Sequence, residues 1–126
     1  MARILIADDV ESLRAMLRAV LETAGHTVEE AADGTECLAA SDAAHFDLAL
    51  VDMMMPGLDG IGAVKQLRLS RPDIGIIAMS GGQEGFPAGF SLTMSELYGA
   101  DRQLLKPFSN AELLKTVDAV LAQKRV

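Results

Sequence analysis

An α/β fold, with one parallel five-stranded sheet and five helices covering both of its faces, is predicted by three observations. Short apolar runs alternate along the chain with stretches whose apolar residues recur at helical spacing. Two of the runs, Leu48–Val51 and Ile74–Met79, show no polar alternation, as expected of strands buried on both faces. Glycine, proline or a capping residue stands where one period gives way to the other. Strands joined through helices pair in parallel by right-handed crossovers, which places helices on either side of a single sheet.

The elements can be placed in order. Arg3–Ala7 is the first strand, and Val10, Leu13, Leu17, Val20, Leu21 and Ala24 mark a helix stopped by Gly25. Thr27–Ala32 is a weaker second strand. Asp33 with Glu36 resembles a capping box opening an alanine-rich helix to about Ala44. Leu48–Val51 is the third strand. Leu58, Ile61, Val64 and Leu67 mark the next helix, which must end before Arg71-Pro72. Ile74–Met79 is the fourth strand, and Phe90, Met94 and Leu97 mark a helix stopping at Gly99. Leu104-Leu105 is a short fifth strand. Ser109 with Glu112 caps a last helix carrying Leu113, Leu114, Val117, Val120 and Leu121.

Composition narrows the function. The chain has 126 residues, half of them hydrophobic, and reads as one domain, 1–126. No apolar stretch approaches the roughly 20 residues of a membrane span, and the first strand runs straight into acids rather than a leader cleavage site. The single cysteine, Cys37, excludes an intramolecular disulfide and fits a reducing, cytoplasmic setting. Eighteen acidic against eleven basic residues give a formal charge of −7. With no basic run beyond Lys124-Arg125, neither nucleic acid nor membrane is an expected direct partner.

The polar residues at the end of each apolar run carry the chemistry. The first run ends in Asp8-Asp9, the third in Asp52, the fourth in Ser80 and the fifth in Lys106-Pro107. In an open parallel sheet these groups share the carboxyl rim, where such folds bind ligands. Taken singly, Asp8 or Asp9 also reads as a helix cap, Asp52 as a turn former, Ser80 as a loop residue and Lys106 as a solvated charge. Taken together they read otherwise. At ~4 Å and an effective dielectric of 20, each pair of like charges costs about 4 kcal/mol, so the cluster needs a cation. Few oxygen ligands and an open site suit Mg²⁺, with Lys106 supplying further positive charge. A carboxylate beside Mg²⁺, a hydroxyl and an ammonium is equipped to take up a phosphoryl group as an acyl phosphate.

Four motifs, ILIADD (4–9), LVDMMMPGLDG (50–60), IIAMSGG (76–82) and LLKPF (104–108), stand in order at the matching elements. Over essentially its whole length the chain resembles the response-regulator receiver domain of two-component and phosphorelay signalling. The resemblance implies a flavodoxin-like, doubly wound sheet of strand order 2-1-3-4-5. It implies Asp52 as the phosphorylated and catalytic residue, with Ser80 and Lys106 contacting the phosphoryl group. Mg²⁺ would be held by Asp9, Asp52 and the backbone carbonyl of Met54, with Asp8 on its waters. An apolar Met54 side chain would also screen the hydrolytic water. Lys106-Pro107 would be a cis peptide. The donor would be a histidine kinase or a histidine phosphotransferase, and the output a downstream protein target met by a monomer or weak dimer. Such a domain is mainly a switch: it catalyses its own phosphoryl transfer and autodephosphorylation but has no dedicated external substrate.

Two departures stand out. Gln103 occupies the place of the family's aromatic switch residue, three positions before the lysine, which weakens output by ring burial. The stretch 80–90 is long and glycine-rich, and implies a mobile fourth helix or an extended loop. Three rival functions remain. A haloacid-dehalogenase-type phosphatase would need a second acid where Met54 stands. A phosphate-binding loop at 81–85 lacks the Lys-Ser/Thr pair. A degenerate receiver acting only as an interaction module stays open through Gln103. The chain is expected to act as a stand-alone receiver unless it was cut from a longer protein. Arg14 and Arg18 read as an exposed face of the first helix, His26 and His45 as loop residues, and Cys37 as core.

Overall fold

The computed structural model describes residues 1–53, 60–80 and 99–124. Five strands are formed: β1 (Arg3–Ala7), β2 (Thr27–Ala31), β3 (Leu48–Asp52), β4 (Gly75–Ser80) and β5 (Arg102–Leu105). Among the described residues four helices accompany them: α1 (Glu11–Thr23), α2 (Gly34–Ala43), α3 (Gly60–Ser70) and α4 (Asn110–Lys124). All strands are parallel, in the order β2-β1-β3-β4-β5. The helix expected over Phe90–Leu97, the glycine-rich stretch beyond Ser80 and Met54 lie outside the described residues.

The period of two along each strand sorts the core into two layers. Leu5, Ala49, Val51, Ile76 and Ala78 pack with Cys37 of α2 and with Val64 and Leu67 of α3. Ile4, Ile6, Leu48, Leu50, Ile77 and Met79 pack with Leu17 and Leu21 of α1 and with Leu113, Val117 and Val120 of α4. Each such side chain, taken fully out of water, contributes about 1.5–3 kcal/mol. Every residue of β3 and β4 is buried, as their unbroken apolar runs require. Met53 is core as well.

Helix boundaries obey their local chemistry. Ser109 Oγ accepts the Glu112 amide at 3.0 Å while Glu112 Oε1 accepts the Ser109 amide at 3.3 Å, a complete capping box for α4. At α2 the Asp33 carboxylate accepts the Glu36 amide at 2.8 Å, but Glu36 reaches back to the amide of Ala32, not of Asp33. Gly25 ends the α1 turn with a φ of 98°. Gly60 opens α3 for a different reason: a Cβ there would overlap the Asp52 carbonyl oxygen and lie 2.7 Å from the Asp52 carbonyl carbon. The glycine lets α3 start directly against the end of β3.

In the last turn of α3, Arg68 gathers the chain that follows. Its guanidinium donates to the carbonyls of Gly99, Pro72 and Ile74 and to the Asp101 carboxylate at 3.0 Å. Asp101 also accepts the Ile76 amide at 2.9 Å, which ties the start of β5 to β4.

Candidate functional site

Strand alternation decides which polar side chains meet. Ile6, Leu50 and Leu104 all belong to the layer under α1 and α4. Two residues after each come Asp8, Asp52 and Lys106, so the same period carries them toward one side at the carboxyl rim. Asp8 is fully buried and Asp52 is 2 % exposed, while Asp9 is open to solvent. One carboxylate oxygen from each of the three lies within 4.8 Å of the others. The Lys106 ammonium donates to Asp8 Oδ2 at 2.9 Å and stands 3.6 Å from Asp52 Oδ2. The Lys106-Pro107 bond is cis.

Asp8 does not cap α1. The N-cap of that helix is Val10, which makes no side-chain capping bond. Instead Asp8 Oδ1 accepts the Val10 amide at 2.9 Å and Oδ2 takes Lys106. The backbone of Asp8 is held too, its amide donating to Ala31 O at 3.1 Å and its carbonyl accepting Arg14 Nη1 at 2.6 Å. Asp9 comes next after this pinned residue and presents its carboxylate at the open rim.

The donor set is all carboxylate oxygen, with an ammonium alongside. At about 5 Å and an effective dielectric of 20, each pair of carboxylates repels by about 3 kcal/mol. Hard oxygen donors, partial burial and one exposed member fit a divalent cation that keeps part of its water shell.

Ser80 reaches the same rim but does not join the cluster. It stands two residues after Ala78, which packs in the layer of α2 and α3. Its carbonyl accepts the Lys106 amide at 2.8 Å. Its hydroxyl is buried and has no hydrogen-bond partner among the described residues. Gln103 is half-buried in β5, opposite Ala78 of β4.

The expected solvated face of α1 is corrected. Arg14 is only 14 % exposed; its Nε bonds Glu30 Oε1 at 3.0 Å besides the contact with Asp8. Arg18, more open, bonds Glu30 Oε2 at 2.8 Å and Glu22 at 3.2 Å. These contacts bridge α1 and β2, and no motif in the sequence marks Arg14 as a neighbour of the acidic pair. His26 accepts the Ala2 amide at 3.1 Å, and His45 stands 3.5 Å from Asp47; neither approaches the site. Burial, with the nearby charge of Asp33, pushes the Cys37 thiol up to about 12, so it is a core residue and not a nucleophile.

The fold and site together define a doubly wound parallel α/β domain with an acidic pocket at its carboxyl rim. The family model for the response regulator receiver domain matches residues 4–118, and the chain belongs to that family. It is 36% identical over 124 residues to the alkaline phosphatase synthesis transcriptional regulatory protein PhoP of Bacillus subtilis, covering 98% of this chain and 50% of that protein. The chain spans about half the length of the curated relatives it matches. Among solved structures it is similar to Vibrio cholerae chemotaxis protein CheY4, at 34% identity and a TM-score of 0.85, with 95% of this chain and 98% of that chain covered. The Thermotoga maritima response regulator TrrA, solved with Mg²⁺ and BeF, is similar at 28% identity and a TM-score of 0.84, covering 95% and 99%. No helix among the described residues is long and apolar enough to cross a membrane.

Proposed function

We propose that Asp52 accepts a phosphoryl group from a phosphohistidine on a histidine kinase or histidine phosphotransferase. The convergence of Asp8, Asp9, Asp52 and Lys106 from three strands onto one rim carries this reading. Asp9 and Asp52 would hold Mg²⁺ together with the Met54 carbonyl, and Asp8 would order its waters. TrrA, crystallised with Mg²⁺ and BeF, supports that choice of ion. When bound, the ion neutralises charge on the transferred group and holds its oxygens in place.

The remaining steps belong to the chain itself. β3 holds the Asp52 carboxylate rigid while the phosphorus is attacked, and the partner's imidazole leaves. Lys106, already between Asp8 and Asp52, pairs with the incoming phosphoryl oxygens. The orphan hydroxyl of Ser80 is a donor in waiting for the same group. Its recruitment would move the end of β4 and bias the surface around Gln103, a local charge event read as a change of shape. We assign the domain to residues 1–126, in the cytoplasm, with a protein target and no direct contact to nucleic acid from its −7 surface.

Incubation with acetyl phosphate and Mg²⁺ tests this. One base-labile phosphate should form, and should vanish in Asp52→Asn. A chain that stays unmodified, or is labelled equally in the variant, overturns the assignment.

A further inference from the structure

We infer that Arg14 is a positioning residue of the acidic site, fixing the Asp8–Asp9 peptide so that the Asp9 carboxylate faces the metal position. The inference rests on the proposed Mg²⁺ site. Arg14 Nη1 donates to the Asp8 carbonyl at 2.6 Å, and that carbonyl shares its peptide plane with the Asp9 amide. Rotation of this plane would swing Asp9, the one member of the cluster that is open to solvent. The other three polar groups of Asp8 are held by Ala31, Val10 and Lys106, so Arg14 completes the set.

The guanidinium is itself oriented. Its Nε bonds Glu30 Oε1 at 3.0 Å, and Arg18 holds the other oxygen of Glu30 at 2.8 Å. Glu30 stands opposite Ile6 in the β1–β2 register, two residues before Asp8. The fork geometry of arginine lets one side chain serve a carboxylate and a carbonyl at once, which a lysine ammonium does less well. Partners that orient metal ligands from behind commonly alter metal affinity 10–100-fold when removed.

The sign of the effect separates positioning from simple electrostatics. Arg14 is a cation beside a cation site, so deleting it should tighten Mg²⁺ binding if charge alone mattered. Positioning requires the opposite.

Mg²⁺ should be titrated into wild type, Arg14→Ala, Arg14→Lys and Arg18→Ala by calorimetry, with the Asp9 and Val10 amide shifts tracked by NMR. Arg14→Ala should weaken binding about tenfold and Arg14→Lys less, with reduced Asp9 shifts. Arg18→Ala, which leaves Asp8 untouched, should stay within about twofold of wild type. Unchanged or tighter binding by Arg14→Ala overturns the inference. Should that variant fail to fold, Arg14→Lys decides, and wild-type affinity there overturns it equally. A wild type that shows neither a binding heat of either sign nor a shift at Asp9 overturns the metal reading, and this inference with it.

Discussion

The Lys106 ammonium lies 2.9 Å from Asp8 Oδ2, although 98 residues separate the two in sequence. Asp8 is fully buried, and Lys106 is the cation that reaches its carboxylate. Removing one partner of a buried pair usually costs about 3–5 kcal/mol, and the partial exposure of Lys106 reduces that figure. Lys106→Met should therefore lose about 2 kcal/mol in urea melts without metal. Mg²⁺ should restore part of the loss, and a variant as stable as wild type in chelator would contradict the pairing.

Asp9 has the reverse character. Its charge lies close to two others and has no cation of its own among the described residues. Asp9→Asn should raise stability in chelator by about 1 kcal/mol, because repulsion is relieved. It should also abolish stabilisation by Mg²⁺, which in wild type amounts to about 1.4 kcal/mol at roughly ten times the dissociation constant. Thermal melts with and without the ion measure both effects.

Ser80→Ala tests the orphan hydroxyl. A buried hydroxyl with no partner costs the folded state about 1–3 kcal/mol. That of Ser80 has none among the described residues, so the unphosphorylated variant should match or exceed wild-type stability. Its phosphorylated form should show smaller amide shifts at the end of β4. A marked loss of stability before phosphorylation would mean the hydroxyl is already bonded.

The Arg18 guanidinium, with that of Arg14, holds the Glu30 carboxyl below the usual carboxylate range. As pH falls, the folded state thus binds its proton later than the unfolded chain does. The contribution is full above the unfolded glutamate value of about 4.3 and fades as pH falls through the depressed one. Glu30→Gln should lower Tm at pH 7 by an amount matching up to about 1 kcal/mol, since these pairs are partly solvated. The two Tm curves should converge below about pH 4. A gap that persists into acid would assign the loss to packing instead.

Much of this architecture was legible because two periods alternate cleanly. Leu48–Val51 and Ile74–Met79 were expected as strands buried on both sides, and the strands formed there, Leu48–Asp52 and Gly75–Ser80, are buried throughout. The acidic site was legible because its members each stand at the end of an apolar run, so parallel topology alone brings Asp8, Asp9, Asp52 and Lys106 to one edge. Ser80 is equivalent by the same rule, yet alternation from Ala78 starts it from the other layer. Arg14 was hidden for a different reason. Its partners, Asp8 and Glu30, are set by how α1 packs across β1 and β2, which no local pattern in the chain encodes.

Two glycines of this fold obey different laws. Gly25 is held by its dihedral angle, with only the Met1 side chain 3.4 Å from where a methyl would stand. Asparagine, which visits that backbone region, is a tolerable replacement there. Gly60 is governed by occupied volume: the room a methyl needs is filled by the main chain of Asp52 and Met53. Saturation mutagenesis should return glycine and asparagine at position 25 and glycine alone at 60. The start of helix α3 and the end of the strand bearing Asp52 therefore meet main chain against main chain, with no side chain between them to absorb a shift of either.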